Sequence, residues 1–233
     1  MRVLTTDQLS QEWFSARVGR VTASRCRDAM RKLERASNGK KAGDWHGDHD
    51  KLVRELAREM LTRIPAWHKV TTEMDYGRTW ENAARNAYAA ATGCQVKETG
   101  FVLHPRFDYA GASPDGLVGD DGCLEIKVPL LATHMDTIFN DEIPEQYLPQ
   151  MQMQMLCCER QWCDFVSYCP RDQDDDERLM LPDELRLFVK RLYADQEKFR
   201  EIEEAATATI EEAVALVQKL SKSRHHLQVE IAQ

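Results

Sequence analysis

The spacing of apolar and polar positions changes character along the chain. Residues 50–63 (DKLVRELAREMLTR) carry Leu52, Val53, Leu56, Ala57, Met60 and Leu61 three or four apart, which predicts a helix ended by Pro65. Residues 76–91 predict another, with Trp80, Ala83, Ala84, Ala87, Tyr88 and Ala91 on one side and Gly93 as its stop. Upstream, residues 22–35 (TASRCRDAMRKLER) read as a basic helix capped by Thr22 or Ser24. Asn38-Gly39 breaks it, and Lys40 to His49 is expected to be a mobile loop. After Gly93 the period shortens. Residues 95–104, 107–112, 116–118 and 123–128 predict short strands, with Asp120-Asp121-Gly122 as the turn before the last. Residues 130–140 and 145–158 return to helix, 162–169 to strand, and 172–177 to an acidic loop. From Pro182 to about Lys222 a long helix is expected, marked by Leu185, Phe188, Val189, Leu192, Phe199 and Ile202 and continued by Ile210, Val214 and Val217. The last ten residues, with His225-His226, are expected to fray. This order predicts an α/β (α+β) fold, a central mixed sheet flanked by helices, in a single domain over residues 1–233.

Within that pattern, one hairpin carries chemistry. In CLEIKV (123–128), Leu124, Ile126 and Val128 face one side of the sheet and Cys123, Glu125 and Lys127 the other. Glu125 and Lys127 therefore project together, about 7 Å apart along the strand. Asp115, in Ser113-Pro114-Asp115-Gly116, starts the partner strand and can sit across from Glu125. Two carboxylates that share a cation beside a lysine are what metal-assisted phosphodiester hydrolysis requires. The same residues also make a plain Pro-Asp-Gly turn and an exposed Glu–Lys pair. Glu81 adds an upstream acid, though it can equally pair with Arg78 or Arg85 at helical spacing. Gln150, Gln152 and Gln154 alternate with Met, either as amides for DNA and a hydrated metal or as one polar helix face over adaptable core.

Composition narrows the setting. No apolar run approaches the ~18 residues of a membrane span, and the N-terminus lacks a signal peptide's apolar core, so a cytoplasmic protein is expected. Seven scattered cysteines without Cys-x-x-Cys predict buried reduced thiols rather than disulfides, zinc or an iron–sulfur cluster. The net charge of −8 counts against nucleic acid, but its distribution does not. Residues 2–41 hold ten Lys and Arg against four Asp and Glu, and residues 172–233 hold nine against fifteen. Such asymmetry suggests a basic working face near the N-terminus. His46-x-x-His49 beside Asp48 and Asp50 reads as a solvated loop rather than a metal site.

Five motifs in order make the chain resemble the phage lambda exonuclease family, the YqaJ-like viral recombination nucleases. They are Glu12 to Ser24 (EWFSARVGRVTAS), Tyr76 to Ala83 (YGRTWENA), Ala112 to Leu117 (ASPDGL), Leu124 to Pro129 (LEIKVP) and Tyr147 to Gln152 (YLPQMQ). The resemblance covers about residues 12–170. It implies the restriction-endonuclease-like fold and a 5′→3′ exonuclease that resects duplex DNA ends to leave 3′ single strands. It implies Mg²⁺, with Mn²⁺ as substitute and one or two ions, held by Asp115, Glu125 and the Ile126 carbonyl. Lys127 would orient the attacking water, Glu81 would act through water, and Gln150 would assist, with Tyr147 a weaker candidate. Arg17, Ser24 and Ser113 would hold the 5′-phosphate; a guanidinium can grip it bidentately. The resemblance also implies a homotrimeric ring, a single-strand annealing partner and a phage or prophage origin in a bacterial host. Pro149 departs from the pattern, so the helix carrying Gln150 either begins or kinks there. Two other functions stay open: a restriction-like endonuclease, and a DNA-end adaptor without catalysis.

Overall fold

A computed structural model describes residues 1–5, 7–37, 39–65 and 72–231, the side chains of 73, 74 and 223–231 excepted. The chain order is β1 (Arg2–Val3), α1 (Gln11–Arg17), β2 (Val21–Thr22), α2 (Cys26–Met30), α3 (Gly47–Thr62) and α4 (Thr72–Thr92). There follow β3 (Val96–Lys97), β4 (Val102–Leu103), β5 (Ala110–Ala112), β6 (Gly116–Val118) and β7 (Gly122–Lys127). Then come α5 (Leu131–Asn140), α6 (Leu148–Cys158), β8 (Trp162–Tyr168), α7 (Asp176–Met180), β9 (Leu187–Tyr193) and α8 (Gln196–Ile231). Helices flank two mixed sheets rather than one. Four strands run β1-β4-β5-β2 and five run β3-β6-β7-β8-β9.

The predicted strand over 95–104 is split between these sheets, because Gly100 lets the chain pass against the N-terminal segment. A Cβ at Gly100 would lie 2.3 Å from the Thr5 carbonyl oxygen. In the larger sheet, β7 pairs antiparallel with β6 and parallel with β8, so it is central and covered on both faces. Leu124 and Ile126 pack with Ala84 and Tyr88 of α4, and Cys123 packs with Met151 and Met155 of α6. A third core joins α2, α3 and α8 to Ala110 and Ala112, with Met153 and Cys157 from α6. The alternating methionines of α6 thus fill the cores on two sides of one helix.

Four predicted elements are corrected. The basic helix 22–35 is a strand, a 3₁₀ turn and only the short α2, because Arg31 turns extended. The loop after it is bridged at Lys32–Trp45 and Ser37–Lys40, and Lys40 pairs with Asp50, so it is tied down rather than free. Asn38 lies outside the described residues. His46 caps α3, which starts at Gly47 instead of residue 50. The acidic loop holds α7, capped by Asp175. The helix expected from 182 is the strand β9 followed by α8, which runs on to Ile231. α4 ends at Thr92 with Gly93 at φ +71°, and Pro149 lies in the first turn of α6, which begins there without a kink. All seven cysteines are free and all but Cys94 are buried.

Candidate active site

β6 and β7 bring the acids together. Gly116 pairs with Leu124, which sets Asp115 across from Glu125. The Asp115 amide donates to the Leu124 carbonyl at 3.0 Å, and the Asp115 Oδ2 accepts the Ile126 N–H at 2.6 Å. Glu125 is buried, 1% exposed, on the face covered by α6. The Lys127 ammonium and the Gln150 amide, the latter at 2.6 Å, both meet its Oε1. Gln154 donates to Oε2 at 2.5 Å. Tyr147 stacks on Phe165, and the Lys127 ammonium lies 5.1 Å from the Tyr147 ring centre. Gln152 belongs elsewhere: it bonds the Tyr193 carbonyl and the Asp195 amide, so the three glutamines are not one polar face.

Glu81 arrives from α4. It pairs with Arg85 at 2.7 Å, as helical spacing allows, and Arg85 also donates to the Asp115 carbonyl at 3.2 Å and to Glu98. Glu81 is thus ion-paired, and it lies near enough to Glu125 for their charges to interact.

The electrostatics follow from this crowding. Burial, then Glu125 and Glu81, hold the Asp115 carboxyl well above the usual carboxylate range, against the opposing Lys127. Burial also raises Glu81, with Arg85 opposing and Glu125 adding. Burial alone would lower Lys127, but Glu125 and Asp115 outweigh it and keep the ammonium charged. Glu81, Asp115 and Glu125 crowd against two cations, Lys127 and Arg85, and a divalent cation would relieve the mutual repulsion of these acids. Among the described residues no three His, Cys, Asp or Glu side chains already converge on one point. Lys127, Gln150 and Gln154 together satisfy both oxygens of Glu125.

A second cluster includes Ser113, two residues before Asp115 in the chain. The Trp13 indole N–H donates to the Ser113 hydroxyl at 2.8 Å. The Arg17 guanidinium sits 4.2 Å from the Trp13 ring centre and 3.4 Å from the Ser24 hydroxyl. Burial pushes Arg17 down to about 10, Glu59 opposes and Arg25 adds. It stays charged at neutral pH, and no carboxylate among the described residues forms a salt bridge with it. Arg17 thus meets Ser24 on one side and the Trp13 ring, which bonds Ser113, on the other.

Sequence reasoning did not single out Arg85 or Trp13 as site residues, and it offered Gln154 only as one of three alternating amides. The available signal was spacing: each stands four residues from a candidate, Glu81, Arg17 and Gln150 respectively. The His46–His49 pair is structural, His46 capping α3 and His49 bonded to the Ala29 carbonyl.

Fold and site together define a nuclease-type α/β protein. The YqaJ-like viral recombinase domain model matches residues 12–161, and the chain belongs to that family. Its structure is similar to the alkaline exonuclease LHK-Exo from Laribacter hongkongensis, 37% identical over 94% of this chain and 100% of that one, with TM-score 0.78. The complex of LHK-Exo with dAMP gives 38% identity, the same coverage and TM-score 0.80. A phage related exonuclease from Haemophilus somnus 129PT shares the fold at 19% identity, covering 86% of this chain and 96% of that one, with TM-score 0.68. No curated protein matches the chain.

Proposed function

We propose that this chain is a Mg²⁺-dependent 5′→3′ exonuclease that resects linear duplex DNA and leaves 3′ single strands for annealing. The observation that carries the reading is two clusters joined by the short run from Ser113 to Asp115: the acids and lysine of β6 and β7, and Arg17, which stacks on the Trp13 that bonds Ser113 and forms no salt bridge among the described residues. One suits hydrolysis and the other suits a terminal phosphate. A relative's capture with dAMP, a mononucleotide, supports the same substrate class.

Asp115 and Glu125, with the Ile126 carbonyl, would hold the ion; Mn²⁺ would serve in its place, and either one or two ions suit the donors. Bound there, the ion would polarise a phosphate oxygen as a Lewis acid. Lys127 donates hydrogen bonds to the attacking water and to charge that develops on the phosphate. Glu81 accepts from water at the edge of the cluster. Gln150 steadies the Glu125 oxygen shared with Lys127. Arg17 grips the 5′-phosphate, with Ser24 and Ser113 as further donors and Trp13 shielding the guanidinium from bulk water.

We place the enzyme in a homotrimeric ring with a single-strand annealing partner, in the cytoplasm of a bacterial host of phage or prophage origin. No helix among the described residues is long and apolar enough to cross a membrane. The deciding experiment digests linear and covalently closed duplex with Mg²⁺. Release of 5′-labelled mononucleotides from the linear form alone is expected. Rapid cutting of the closed circle would sink the exonuclease reading and favour an endonuclease. Sedimentation should give three times the 26.9 kDa chain mass; a monomer at all concentrations would remove the ring.

A further inference from the structure

α6 offers two amides to one carboxylate. Gln150 and Gln154 stand one helical turn apart on the same face. Gln150 is half-buried and shares Oε1 of Glu125 with Lys127. Gln154 is fully buried and bonds the other oxygen, Oε2. Its own carbonyl accepts the Cys163 thiol at 3.7 Å. Met151, Met153 and Met155 around it are all fully buried, so an amide here displaces apolar fill. Burying an amide costs free energy unless it is bonded, and here its donor is directed at a buried charge. Neither solvent nor DNA reaches it.

We propose that Gln154 is a positioning residue of the site. It pins Oε2 and thereby fixes the rotation of the Glu125 carboxylate, so that Oε1 is the oxygen turned toward Lys127 and the substrate side. The terminal torsion of Glu has a broad minimum, so without a second anchor the carboxylate turns and Oε1 loses its place. A methionine would fill the same volume and supply no donor. A glutamate would add a further acid to a cluster already short of cations. The proposal rests on the reading of Glu125 as a cation ligand.

The test is Gln154→Met, read by Mn²⁺ binding in paramagnetic resonance without DNA and by kcat and KM on 5′-phosphorylated linear duplex. Partners behind a metal ligand are typically worth about 10–100-fold in affinity or activity. Weaker Mn²⁺ binding by about tenfold is expected, with kcat down by a similar factor and KM within about twofold. The same substitution in a Glu125→Gln background should change Mn²⁺ affinity no further. Effects below twofold throughout, or an equal loss in the Glu125→Gln background, would overturn the proposal. If Gln154→Met does not fold, Gln154→Asn keeps the amide but withdraws it by one methylene, and the same criteria apply. Wild-type protein that binds Mn²⁺ without releasing nucleotides would overturn the exonuclease reading alone, and the Mn²⁺ titrations would still decide on Gln154. Wild-type protein that does neither would overturn both.

Discussion

Asp115 concentrates the cost of the site in one side chain. It sits beside Glu125 and Glu81, and its proton affinity is raised by burial and by both acids, against Lys127. Folding therefore takes up a proton between the ordinary carboxylate range and the raised value. Stability falls as pH climbs through that window and stays low above it. Asp115→Asn removes the charge and keeps an oxygen for the Ile126 N–H. The substituted protein without metal should melt higher than wild type at neutral pH, and the gap should close toward pH 4. Each kcal/mol recovered is worth about 2–4 °C at this chain length. Calorimetry across pH reads it; a gap that does not change with pH would mean that the charge is not the cause. Arg17 makes a complementary prediction. Its half-buried cation lies against the Trp13 ring beside a hydroxyl and, among the described residues, forms no salt bridge with a carboxylate, so a 5′-phosphate would supply the anion. Arg17→Ala should erase about 10–100-fold of preference for phosphorylated over hydroxyl ends, at about 1.5–3 kcal/mol for charge-assisted bonds. Competition between the two ends measures this, and an unchanged preference takes Arg17 out of the role.

At the scale of elements, what the sequence shows depends on how many faces are buried. α3 and α4 have one wet side, so their 3.6-residue period and stops were readable from Leu52, Leu56, Tyr88 and Gly93. The hairpin of β6 and β7 was readable from Pro-Asp-Gly and the alternation in CLEIKV, and so were Asp115, Glu125 and Lys127. β9 was not. Phe188 and Leu192 pack toward α6, Leu187 and Val189 toward α4, so both faces are apolar and their positions mimic helical spacing. Arg85 was legible as a helical-spacing partner of Glu81 and Gln154 as one of three alternating amides, but their bonds to Asp115 and Glu125 were not, since those residues lie on other elements. The link between β3 and β4 was also hidden, because its meaning lies in a remote contact. Leu4 donates to the Phe101 carbonyl, Phe101 to the Thr5 hydroxyl, and Gln8 to the carbonyls of Thr99 and Pro114. Gly100→Ala would drive a methyl into the Thr5 carbonyl. It should cost about 1–3 kcal/mol and loosen the hold on Pro114, just before Asp115. A lower urea midpoint with unchanged slope, together with a fall in kcat, is expected; wild-type values for both would show that the N-terminal segment gives way freely.

For the whole molecule, the charge asymmetry is real but partly consumed by the fold. Of the ten Lys and Arg in residues 2–41, Arg2, Arg25, Arg31 and Lys40 are in salt bridges, and Arg20 holds the Ala16 and Asp108 carbonyls. Lys32 lies over the Trp45 ring, and Arg27, Arg35 and Lys41 pair with no carboxylate among the described residues. These four, outside the Arg17 cluster, are the segment's cations left for a phosphate backbone. Each phosphate contact contributes about −0.9 to the slope of log affinity against log salt. Replacing Arg27, Lys32, Arg35 and Lys41 with Gln should therefore flatten the slope for duplex ends by about 3–4 units per chain engaged. Cleavage of a bound end should survive, because none of the four touches the acid cluster. Anisotropy titrations in Ca²⁺ across a salt series give the slope directly. A slope equal to that of wild type would mean that this basic segment faces away from the DNA, and that the duplex is held by the site clusters and by cations elsewhere on the chain.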